Sequence, residues 1–159
     1  VKRLVTLALA IATTACATTP AYNRGWSTFE RNADGENAAM LVYGAPASDD
    51  VDLFAVCDRD AKVFEMAVFT GDTSRPVAER ARTEVIIGPA AALRRFDATV
   101  QYTEMSGEMM LVAQTGLPPE FVRSWAGERI TMAGQGTAMT LLARPDKAMI
   151  EDFLKRCVR

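Results

Sequence analysis

Histidine is absent from all 159 residues of the chain, and that absence excludes more than any motif here proves. Without an imidazole there is no Ser-His-Asp or Cys-His nucleophile, no His-ligated zinc and no histidine proton shuttle. Cysteine is scarce, with three residues, and none of them has the CxxC spacing of a redox pair. The sequence has no internal repeat and no low-complexity segment. A basic surface is also lacking: the formal net charge is −2, whereas binding to phosphate backbones needs clustered positive charge, so a nucleic-acid partner is excluded. No motif calls for a metal or a cofactor, and none is expected.

What is present fits one globular unit. Hydrophobic residues make up 49% and charged residues 24% of the chain, as in an ordinary folded domain. The chain is long enough to bury a core without many staples.

The first residues read as an address. Lys2 and Arg3 precede the apolar run Leu4-Val5-Thr6-Leu7-Ala8-Leu9-Ala10-Ile11-Ala12, which is far shorter than the ~20 residues that cross a bilayer as a helix. This is the pattern of an export signal. Thr13-Thr14-Ala15-Cys16 resembles the bacterial lipoprotein lipobox, with Thr13 where leucine is usual. The resemblance implies cleavage before Cys16, lipidation of that cysteine and a lipid anchor in a membrane, each buried methylene contributing ~0.8 kcal/mol. Ala15-Cys16-Ala17 also fits ordinary small-x-small cleavage after Ala17, which would discard Cys16. Both routes give an export signal over 1–17, followed by a tether over 18–25, TTPAYNRG, and a single β-rich domain over 26–159. Both also place the protein outside the cytosol, in the periplasm or at the outer membrane, or soluble and secreted if Cys16 is lost.

Within the domain, Met40 to Cys57 reads as a hairpin. Met40-Leu41-Val42-Tyr43 favours a strand, Gly44 to Asp50 is a cluster of turn formers, and Val51, Leu53, Ala55 and Cys57 share one face of a second strand. Further strands are expected at Trp26–Phe29, Val63–Phe69 and Arg80–Ile87. The clearest alternation sets Phe96, Ala98, Val100 and Tyr102 against Arg95, Asp97, Thr99 and Gln101, the signature of a half-buried antiparallel strand. Glu108–Thr115 pairs back on it, and Arg129–Ala133 with Thr137–Ala143 forms a last pair. Pro118–Gly127 carries signals for a two-turn helix. Pro145–Cys157 closes the chain as a helix with Met149, Ile150, Phe153, Leu154 and Cys157 on one stripe. The fold class is therefore mainly β, or α+β: an antiparallel sandwich or barrel with one short inserted helix and a C-terminal helix.

Several residues are candidates for chemistry. Cys57 and Cys157 remain in the domain under either cleavage route, and an even pair in an oxidising compartment forms a disulfide. Asp49, Asp50, Asp52, Asp58 and Asp60 gather around the hairpin, where calcium or paired catalytic carboxylates are the functional reading and turn chemistry the simpler one. Met105, Met109 and Met110 offer soft sulfur, but Met109 and Met110 point to opposite strand faces, so core filling is expected. Arg80, Arg82 and Glu84 line one strand face, with Arg94 and Arg95 further on, suiting an anion site or a solvated face. Trp26 and Trp125 suit a sugar- or peptide-binding groove or simple packing. Two function classes follow: a non-enzymatic, lipid-anchored envelope protein that binds an envelope protein or glycan or serves structurally, and an envelope hydrolase using acidic residues. A deep cleft with two facing carboxylates would favour the hydrolase. A surface bearing one apolar groove would favour the binding protein.

Overall fold

The computed structural model describes residues 24–31, 37–46, 50–104 and 106–158. Their elements run in the order β1 (Gly25–Arg31), β2 (Ala38–Gly44), β3 (Val51–Asp58), β4 (Val63–Phe69), β5 (Arg82–Gly88), β6 (Arg94–Tyr102), β7 (Met109–Thr115), α1 (Pro119–Arg123), β8 (Thr131–Gly134), β9 (Thr137–Thr140) and α2 (Lys147–Cys157). The mainly β, antiparallel class with a short inserted helix and a C-terminal helix is what forms. The export signal, Cys16 and most of the tether lie outside the described residues, as do Asp49 and Met105. The tether read over 18–25 ends in ordered structure, since Gly25 already pairs with Gly44 in the β1–β2 ladder.

One sheet carries all nine strands, in the order β1-β2-β3-β4-β7-β6-β5-β8-β9. This is not a sandwich of two separate sheets. The first four strands form a meander, and β5-β6-β7 then joins as a block in reverse order, so that β7 pairs with β4 and β5 is left to receive β8. The β2–β3 hairpin forms with Leu53, Ala55 and Cys57 buried on one face. Its register shifts between Tyr43 and Gly44. Gly44 suits that shift because a Cβ there would stand 2.5 Å from the Asp50 carbonyl oxygen.

The alternating side chains sort onto two faces. The core face presents Leu41 and Tyr43 from β2, Phe64 and Met66 from β4, Val100 from β6 and Leu111 from β7, all buried. Both helices pack on this side. Phe121, Val122 and Trp125 come from α1 and the turn after it, and Ile150, Phe153 and Leu154 from α2. A chain of rings runs through this core: Tyr43 to Trp26 at 5.2 Å, Trp26 to Trp125 at 6.1 Å, Trp125 to Phe121 at 5.5 Å and Phe121 to Phe96 at 5.4 Å. After β9 the chain leaves the ladder earlier than Ala143 and reaches the opposite end of the sheet. There Trp26 Nε1 donates to the Ala143 carbonyl at 2.9 Å, and the Tyr43 hydroxyl accepts from Leu142 N at 3.2 Å. These bonds draw the two ends of the sheet toward each other around the core.

α2 is fixed at both ends. The Asp146 carboxylate caps it, accepting from Met149 N at 2.7 Å. At the other end Cys57 and Cys157 are bonded, with Cα atoms 5.4 Å apart, inside the span a disulfide requires. The bond closes a loop of 100 residues, for which chain entropy alone gives ~4.7 kcal/mol of stabilisation before any strain is subtracted. Lys155 and Arg156 in the last turn suit the helix dipole. Reduction, or Cys57→Ser, is expected to cost about 2–5 kcal/mol, lowering the melting temperature. Limited proteolysis should then cut within α2 before any strand; a variant cut first in the sheet would show that the bond does not hold the helix.

Candidate functional site

The second face of the sheet has no helix over it among the described residues, and it divides into two adjoining grooves. One, of about 510 Å³, is lined by Ala38, Met40, Phe54, Val56, Ala61 and Val63, with Asp58, Glu65 and Gln114 at its polar margin. The other, of about 560 Å³, is lined by Arg82, Thr83, Asp97, Thr99, Gln101 and Gln114, over Ala98 and Val112. Gln114 belongs to both.

Register explains the division. On this face Met40 stands opposite Val56, and Val56 opposite Glu65, which is opposite Gln114. One step along, Val42, Phe54, Ala67, Val112, Thr99 and Arg82 form the next row. Both rows are apolar over β2 and β3; the first turns polar at Glu65 on β4 and the second at Thr99 on β6. The rings of Phe54 and Phe69 pack edge to face at 5.8 Å, which stiffens the floor. Phe29, opposite Met40, is 53% exposed and extends the apolar surface to the β1 edge. Glu65 accepts from Gln114 Nε2 at 2.7 Å, and Asp58 Oδ1 accepts from Ala61 N at 2.8 Å. The two carboxylates therefore rise from one sheet face on neighbouring strands and do not confront each other across a cleft.

Comparison with family models, curated proteins and solved structures gave no match.

The hairpin aspartates have a different occupant from the calcium considered for them. Arg24 Nη2 donates to Asp50 Oδ1 and Oδ2 at 2.6 and 2.7 Å, and its Nη1 lies 2.6 Å from Asp52 Oδ2. A guanidinium thus sits where a cation would sit. Burial pushes the Asp52 carboxyl up from the usual aspartate range, with Arg24 opposing that shift and Asp50 adding to it. Asp58 serves a local turn, accepting from Ala61 N, and Asp60 accepts from Asn37 Nδ2 at 3.5 Å across 23 residues. Among the described residues no group of three or more acidic or cysteine side chains is arranged to hold a metal.

The arginine candidates separate. Arg82 opens β5 and lines the polar groove. Arg80 lies before the strand, with φ of 63°, so the alternation that placed Arg80 and Arg82 on one face does not reach it. Arg95 is paired with Glu84 at 2.6 Å, and Arg94 lies over the Phe121 ring at 5.0 Å. Trp125 is fully buried in the core and presents no ring to a ligand; Trp26 packs beside it. Met109 is buried while Met110 is on the other face, as alternation requires. Sequence reasoning missed the groove, although a signal existed. Met40-Leu41-Val42-Tyr43 and Leu53-Phe54-Ala55-Val56 are apolar on both parities, which marks strands with something to cover on each side.

Arg24→Ala is expected to lower stability by about 1 kcal/mol at neutral pH, or roughly 2–4 °C in melting temperature for a chain of this size. The sign with pH follows from the charge on Asp52. Arg24 favours its ionised form, so the gap between variant and wild type should close as acid protonates Asp52 in its raised range. Thermal melts across pH measure this. Calcium and chelator should leave the wild-type melt unmoved, since the guanidinium already satisfies these carboxylates.

Proposed function

We propose that this is a non-enzymatic protein of the bacterial cell envelope, exported, anchored to a membrane through lipid on Cys16, and binding another envelope component through the second face of its sheet. The observation that carries the reading is the groove lined by Met40, Phe54, Val56 and Val63. An apolar surface of this kind, bounded by polar groups and left open, marks an interaction site. The Cys57–Cys157 bond supports export, since disulfides persist in oxidising compartments. No helix of the described residues is long and apolar enough to cross a membrane.

Binding, rather than hydrolysis, also agrees with where the polar groups lie. Among the described residues no polar or charged side chain is buried as a whole. Hydrolysis by acidic residues uses a carboxyl pair flanking a scissile bond, one of them commonly tuned by burial. In this groove Glu65 is tied to Gln114 and Asp58 to a turn amide.

Two measurements test the reading. A photoreactive amino acid placed at Val56 should form adducts in intact envelopes, whereas the same group at Glu128, exposed between α1 and β8 and lining neither groove, should not; equal labelling at both would count against the groove. Labelled fatty acid should be incorporated into the expressed protein, and Cys16→Ser should abolish both label and membrane association. A mature amino terminus at Thr18 would instead mean ordinary cleavage and no anchor.

A further inference from the structure

We propose that the groove receives a cationic amphipathic polypeptide segment, one that carries an apolar face flanked by lysine or arginine. This rests on the reading of the second sheet face as a binding surface and adds the chemistry of what fills it.

The first argument is length. Because Gln114 lines both grooves, they form one trough across β2, β3, β4, β7, β6 and β5, which are consecutive neighbours in the sheet. Five strand spacings of ~4.8 Å make about 24 Å. A helical segment of roughly 16 residues has that length.

The second argument is charge. Three carboxylates line the trough, Asp58, Glu65 and Asp97, against one guanidinium, Arg82. Among the described residues, none of the three is ion-paired: Asp58 accepts from a backbone amide and Glu65 from a neutral amide. The neighbouring Glu84, by contrast, is matched by Arg95. The trough therefore holds uncompensated negative charge beside an apolar floor. Lysine and arginine answer both features, because their aliphatic stems lie on apolar surface while their heads reach the carboxylates. An anionic lipid headgroup would be repelled. A second copy of this chain is disfavoured because both copies would bring the same net negative trough, three carboxylates against one guanidinium, to the contact.

The test uses the exported chain with its disulfide intact and a fluorescent 16-residue leucine/lysine amphipathic peptide, compared with leucine/glutamine and leucine/glutamate versions of the same pattern. The leucine/lysine peptide is expected to bind at least about tenfold more tightly than either and to weaken as salt is raised. Asp58→Asn, Glu65→Gln and Asp97→Asn combined should remove most of that preference. Glu128→Gln, away from the trough, should not change it. Val56→Ser should weaken all peptides, and melting curves confirm that each variant folds. Equal binding of the three peptides, still weakened by Val56→Ser, would overturn the charge proposal while leaving the groove a binding site. Binding indifferent to Val56→Ser would overturn both. Purified peptidoglycan that displaces the peptide and binds independently of the three carboxylates would overturn the proposal in favour of a glycan.

Discussion

The docking of α2 is the constraint on which the rest of this structure depends. A nine-stranded sheet has two faces to satisfy, and the described residues hold one long helix with which to do it. An 11-residue helix is marginal by itself in water, so it must draw stability from contact. Ile150, Phe153 and Leu154 supply that contact, each worth about 1.5–3 kcal/mol when fully buried. The bond to Cys57 then holds the helix where burial puts it. Ion pairs reinforce the same end: Arg156 is 2.7 Å from Asp152 and 3.6 Å from Glu30, and Glu30 is 3.5 Å from Arg59. With α2 committed to the core face, together with the short α1, no element among the described residues remains for the other. The open groove is a consequence of how the core is closed.

Much of this was legible in the chain. Period-two alternation located β6, the turn-former cluster located the β2–β3 hairpin, and the pairing of Cys57 with Cys157 placed α2 beside the end of β3. These signals are local, or depend on chemistry that admits one partner. Strand order was not legible, because the reversed insertion of β5-β6-β7 depends on contacts far apart in sequence. Local propensity does not encode which distant edge a strand will join.

The candidate site was read less well, for related reasons. Arg24 belonged to a stretch taken as tether, yet it clasps Asp50 across 26 residues. Nothing in the local pattern announces so distant a partner. Trp125 suited a binding groove or simple packing, and the chain of rings through Trp26 and Phe121 decides for packing at the centre of the core. The groove residues are hydrophobic and gave no motif, since apolar side chains at strand spacing read first as interior. What distinguishes them is that β2 and the middle of β3 are apolar on both faces, while β6 is apolar on one. That difference maps the apolar half of the trough.

The central claim is that one sheet face is closed by a bonded helix and the other is kept for a ligand. Backbone amide shifts of the isotopically labelled domain, followed while the cationic amphipathic peptide is added, test it most directly. The account predicts shifts concentrated on β2, β3, β4 and β7, reaching β6, with the amides of α2 unmoved. Shifts centred on α2, or spread evenly over the molecule, would contradict it.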